Sequence, residues 1–116
     1  MPLQITFHQL PVSAALETDI RQLAADLEGV YPGIVSCRIR VEAPHRHQSQ
    51  GRLYKIAIEL GVPGDRLMVN RAPDEHTAHE DVYVAVRDAF RAARRQLEDY
   101  ARRRRGDVKA HQPLPS

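Results

Sequence analysis

Two runs in which every second residue is apolar constrain this chain more than any other feature. Val35, Cys37, Ile39, Val41 and Ala43 alternate with Ser36, Arg38, Arg40 and Glu42. Tyr54, Ile56, Ile58, Leu60 and Val62 repeat the pattern, with Lys55 and Glu59 on the other parity. A period of two puts the apolar set on one face of a strand and the polar set on the other. Pro63-Gly64 suits the centre of a type II turn, so a third strand is expected through Leu67 and Val69, ending near Asn70-Arg71. Consecutive strands joined by hairpins form an antiparallel sheet, and its apolar face has to be covered.

The rest of the chain supplies one more strand and two covers. Leu3, Ile5 and Phe7 alternate with Gln4, Thr6 and His8, and Pro11 ends that strand. Ser13 stands where a helix N-cap belongs. Leu16, Ile20, Leu23, Leu27 and Val30 then recur at helical spacing, with Gly29, Pro32 and Gly33 as the stop. A longer helix is expected from about Glu80 to Arg104, its acidic start and Arg-rich end matching the helix dipole. Gly106 is expected to end it, leaving residues 106–116 as a disordered tail behind a single domain, 1–105. The order β-α-β-β-β-α predicts an α+β fold, a four-stranded sheet with two helices packed on one face.

Composition narrows what such a domain can do. The chain has 116 residues, enough for one core, and with 5% aromatics and no Trp that core is aliphatic. One cysteine, Cys37, excludes an intrachain disulfide and any CxxC motif, and its inward parity makes it an apolar filler. No apolar run is long enough to span a membrane. The opening MPLQITFHQLPVS has neither the basic nor the apolar region of a signal peptide, so a cytoplasmic protein without a membrane partner is expected. His76 and His79, followed by Glu80, provide two ligands where a catalytic zinc needs three. Ser13 reads as a cap, since no base can be placed beside it. There is no Gly-rich phosphate loop and no triad signature. No metal, no cofactor, no small-molecule substrate and no enzymatic activity are expected.

Charge is where the sequence speaks most clearly. The total is +2, but residues 82–105 hold eight Arg against three acids, a local +5, while residues 1–75 sum to −1. At about 100° per residue, Tyr83, Val86, Phe90, Ala93, Leu97 and Tyr100 share one arc, the core face. Arg87, Arg91, Arg94, Arg95 and Arg102 share the adjoining arc, interrupted only by Glu98. Such a stripe is either a solvated helix face with i,i+4 pairs or the electrostatic footprint of nucleic-acid binding. On the polar face of the sheet, Arg38, Arg40 and Lys55 either add to a basic groove or are ordinary exposed strand residues. His45-Arg46-His47, between the two alternating strands, is either solvated or a further phosphate contact.

The element order, together with E-D-V-Y-V-A-V (Glu80 to Val86), Phe90 and R-Q-L (Arg95 to Leu97), resembles the ribosome hibernation promoting factor family. That family is also known as the ribosome-associated inhibitor, protein Y or sigma-54 modulation protein family. The resemblance covers roughly residues 3–105. It implies a fold similar to a double-stranded-RNA-binding domain. It also implies a translation inhibitor without catalysis, bound to the small ribosomal subunit and its 16S rRNA in the decoding region during stress or stationary phase. The basic positions that carry over are Arg87, Arg91, Arg94 and Arg95, with Arg102 beyond them. Two departures stand out. The first helix here has Glu17, Asp19, Asp26 and Glu28 against a single Arg21, where the family's first helix is usually basic. The chain also ends where long family members continue into a dimerisation domain, so it is expected to be a short form. A generic RNA-binding or protein-interaction module of the same fold is the alternative reading.

Overall fold

The computed structural model describes residues 1–43, 54–71 and 81–111, with side chains as far as Gly106. The elements are β1 (Leu3–His8), α1 (Ala14–Val30), β2 (Ser36–Glu42), β3 (Lys55–Val62), β4 (Asp65–Arg71) and α2 (Val82–His111). They form one four-stranded sheet in the order β1-β2-β3-β4. The alternating runs pair antiparallel, Ile39 opposite Ile58 and Ile58 opposite Val69. β1 joins the other side of β2 in parallel, Ile5 opposite Ile39, so the sheet is mixed. Parallel neighbours need a long crossover, and α1 is that crossover.

The turn between β3 and β4 follows the sequence closely. Val62 pairs with Asp65, leaving Pro63 and Gly64 as the loop. Gly64 has φ of 77°, the left-handed value that the third residue of a type II turn requires. Beside it, β2 enters the sheet tightly. A Cβ on Gly61 would lie 2.6 Å from Ser36 Oγ but 3.7 Å from the Ser36 amide nitrogen, so a larger residue there displaces the serine hydroxyl and not the strand.

Both helices lie on the apolar face of the sheet. Ser13 caps α1, its Oγ accepting from the Leu16 amide at 3.1 Å. Leu16, Ile20, Ala24 and Leu27 are buried against the strands. The chain leaves α1 at Tyr31, whose amide donates to the Leu27 carbonyl at 3.0 Å. Asp81 caps α2: its Oδ1 accepts from Tyr83 at 2.7 Å and its carbonyl from Ala85 at 3.0 Å. Of the acidic start expected of this helix, Asp81 is therefore a cap and Glu80 lies outside the described residues; the first helical residue is Val82.

Three expectations need correction. Val35, counted among the inward residues of β2, is 57% exposed, and Ile34 is buried in its place. β2 begins only at Ser36, so strand parity does not extend back to residue 35. The core face of α2 is wider than its large residues suggest. Ala85 and Ala89 are fully buried beside Val86, Phe90, Ala93 and Leu97, because small side chains let the helix approach the sheet. Finally, α2 does not stop at Gly106 but continues to His111. A glycine ends a helix when it turns left-handed, and among the described glycines only Gly64 has positive φ. Within a helix, glycine costs only about 1 kcal/mol relative to alanine. The expected tail thus begins no earlier than residue 112, and residues 112–116 lie outside the described residues. His45, Arg46, His47, His76 and His79 also lie outside them.

One cluster ties the far end of α2 to the sheet. The Tyr100 hydroxyl donates to the Pro63 carbonyl at 2.5 Å. Tyr31 meets the Tyr100 ring edge-on, with centroids 5.3 Å apart. Arg104 donates to the Tyr100 oxygen at 3.1 Å and lies 5.7 Å from the ring centroid. A single tyrosine thereby joins the end of α1, the β3-β4 turn and α2.

Candidate nucleic-acid interface

With its apolar arc fixed on the sheet, α2 turns the neighbouring arc to solvent. Arg87, Arg91, Arg94, Arg95 and Arg102 are all exposed there. Arg105 is exposed as well. It lies eighteen residues after Arg87, five full turns at about 100° per residue, and extends the stripe to about 27 Å. With the helix expected to stop at Arg104, this residue was missed; its spacing from Arg87 is the signal that finds it. Arg104 is different, since its guanidinium is folded onto Tyr100 and the Pro63 carbonyl.

Most of the stripe is paired with carboxylates. Arg91 Nη1 lies 2.9 Å from Asp88, and Arg94 Nε lies 3.0 Å from Glu98. Arg102 pairs with Asp99. Arg87 reaches across to α1, 4.0 Å from Asp19. Arg95, Arg103 and Arg105 have no partner among the described residues. Each pair is solvent-exposed, and exposed ion pairs contribute about 0–1 kcal/mol. A phosphate can therefore replace each carboxylate at small cost. The i,i+3 and i,i+4 pairs of an ordinary solvated helix are present, and they do not prevent anion binding.

The other basic candidates lie elsewhere. Arg38 and Arg40 of β2 and Lys55 of β3 sit on the open face of the sheet, opposite the helices, where Arg38 faces Gln4 and Glu59 and Lys55 faces Glu42. Glu42 also lies 3.7 Å from Arg40 and 3.4 Å from His8. The sheet separates these three residues from the stripe, so the eight candidates form two surfaces and not one groove. A shallow depression on the open face is lined by Gln4, Thr6, Arg38, Arg40, Glu59 and Met68.

A true groove does run between the two helices. It has a volume of about 210 Å³ and is lined by Leu23, Asp26 and Leu27 of α1 and by Arg87, Phe90, Arg91 and Arg94 of α2. Asp19 and Asp26, which read from the sequence as an acidic departure on α1, border the arginines directly. Nothing in the one-dimensional pattern paired them with α2, because the packing angle of two helices is not written in either helix alone.

Among the described residues, the other candidate reactive groups, Cys37 and Ser13, are engaged in structure. Cys37 is buried, and burial together with the charge of Glu28 pushes its thiol up to about 11. At neutral pH it is a protonated apolar filler, not a nucleophile. Ser13 Oγ is occupied as a cap. Among the described residues no group of three His, Cys, Asp or Glu side chains is placed to hold a metal, and no helix is long and apolar enough to cross a membrane.

Comparison with known proteins gives a consistent picture. The family described as "Sigma 54 modulation protein / S30EA ribosomal protein" matches residues 3–105. The fold is similar to the N-terminal domain of Thermus thermophilus Protein Y, with TM-score 0.66 and 15% identity over 86% of this chain and 99% of that one. It is equally similar to a ribosomal subunit interface protein from Coxiella burnetii, with TM-score 0.67 and 17% identity over 87% and 98%. At these identities the structural likeness concerns the fold. A search of the curated proteins finds no relative of significant similarity.

Proposed function

The chain belongs to the family of sigma 54 modulation proteins and S30EA ribosomal proteins, and from that membership we propose that it binds the small ribosomal subunit and holds ribosomes inactive under stress or in stationary phase. The observation that supports this most is the 27 Å stripe on α2, about 1.5 Å per residue from Arg87 to Arg105, in a domain whose remaining charge is nearly balanced. Arg87, Arg91, Arg94, Arg95 and Arg102 contact 16S rRNA phosphates, and the shape of the RNA in the decoding region supplies selectivity. Arg38, Arg40 and Lys55 offer a second, weaker basic surface on the far side of the sheet. The effect is steric and electrostatic, without catalysis, and it operates in the cytoplasm where ribosomes work. The solved Coxiella burnetii relative is named as a ribosomal subunit interface protein, which fits this reading.

The test is a sucrose-gradient profile of a stationary-phase extract probed for this protein. It is expected in the ribosomal fractions. A signal confined to the top of the gradient refutes the reading.

A further inference from the structure

The groove between α1 and α2 has a composition that a simple phosphate stripe does not need. Its sides carry three arginines, Arg87, Arg91 and Arg94, but its floor is apolar and its α1 lip carries a carboxylate. A duplex backbone lying along α2 gains nothing from Leu23 and Leu27, and it is repelled by Asp26. An unstacked nucleotide uses all three features. We propose that this groove is a nucleotide subsite within the RNA interface, taking a single splayed-out, amino-bearing base of single-stranded RNA. The base lies on the half-exposed Leu23, with the buried side chains of Leu27 and Phe90 beneath it. Asp26 accepts hydrogen bonds from the base, and the arginines hold the flanking phosphates.

The hydrogen-bonding state of Asp26 supports this assignment. Its Oδ1 accepts from Gln22 Nε2 at 3.1 Å, and its second oxygen has no hydrogen bond among the described residues. It forms no ion pair with the arginines beside it, although they line the same groove. A carboxylate with a free oxygen recognises donors on a base edge, and guanine presents an N1–H and an amino group side by side. Unpaired bases read on such edges are the usual targets of sequence-specific RNA recognition. The inference also gives α1 a role that its acidity otherwise denies it: the helix reads the base while α2 holds the backbone.

The proposal rests on the small-subunit reading, and its test separates the two. Wild-type protein, Asp26→Asn and Leu23→Ser are titrated against purified small ribosomal subunits at two salt concentrations. Absence of wild-type binding refutes the earlier reading. Given wild-type binding, a purely electrostatic stripe requires Asp26→Asn to bind more tightly, because a negative charge has been removed. The nucleotide subsite requires the opposite sign, a loss of at least about fivefold, as expected for a hydrogen bond to a charged acceptor. Leu23→Ser is expected to weaken binding with the salt dependence unchanged, because no charge is altered. Equal or tighter binding by Asp26→Asn overturns the proposal. So does Leu23→Ser binding with wild-type affinity. Both positions are at least partly exposed, and thermal melts of the variants confirm that they fold.

Discussion

Salt dependence is the sharpest consequence of a phosphate-binding stripe, and the structure sets its size. Of the six exposed arginines on this arc of α2, five, Arg87, Arg91, Arg94, Arg95 and Arg102, are the proposed phosphate contacts. Arg104 is excluded because it is committed to Tyr100 and Pro63. If each of the five meets one phosphate, log K falls with log salt at a slope of about −3.5, using roughly 0.7 per contact for single strands. Between 50 and 200 mM salt this is a loss of about 100-fold in affinity. Replacing Arg95 by Gln removes one contact, so the slope falls to about −2.8 and the loss to about 50-fold. Arg95 is the informative choice because it has no carboxylate partner among the described residues, so its removal frees no buried or paired group. Equilibrium binding to purified small subunits across a salt series measures the slope. A slope shallower than about −1 means that fewer than two phosphates are neutralised, and it refutes the stripe as the main contact.

Two further outcomes test the fold that positions the stripe. Tyr100→Phe removes the hydroxyl that donates to Pro63 but keeps the ring against Tyr31. Arg104 still reaches the same carbonyl at 3.3 Å, so denaturant unfolding should show a loss of about 1 kcal/mol. For Cys37 the sign follows from its raised pKa. Between an ordinary value of 9.0 and about 11, the unfolded chain loses the thiol proton while the folded chain keeps it. The unfolded state then binds fewer protons, so stability declines as pH rises through that window. Cys37→Ala should flatten this part of the stability profile, and the native thiol should resist alkylation at neutral pH.

The sheet was legible because its signal is local. Ile39, Ile58 and Val69 fall on one parity, and Pro63-Gly64 fixes the turn between two of their strands, so register follows from the sequence with little freedom. The burial of Leu16, Ile20 and Leu27 on one side, and of Phe90 and Leu97 on the other, followed equally from helical spacing. What was not legible depended on contacts between elements. The parallel pairing of β1 with β2 needs α1 to cross over, and no residue of β1 declares it. Ala85 and Ala89 are as deeply buried as the large residues, yet they lie beyond the arc that the large residues mark. Gly106 looked like a stop because glycine often is one, but its effect depends on a backbone angle that the sequence does not record. The interface divides along the same line. The stripe on α2 was visible as an arc of one helix. The separation of Arg38, Arg40 and Lys55 from it, and the approach of Asp19 and Asp26 to it, appear only when the layers are stacked.

The central claim is that the arginines of α2 attach this domain to the small ribosomal subunit. Co-sedimentation of purified small subunits with wild-type protein, and with a variant carrying Arg87, Arg91, Arg94 and Arg95 changed to Glu, tests it directly. All four side chains are exposed, and their ion pairs contribute little to stability, so the variant should fold, which its circular dichroism spectrum and melting curve establish. The account predicts that wild-type protein pellets with the subunits and the folded variant stays in the supernatant. A folded variant that pellets as well as wild type would show that the stripe is a solvated helix face and would contradict the account.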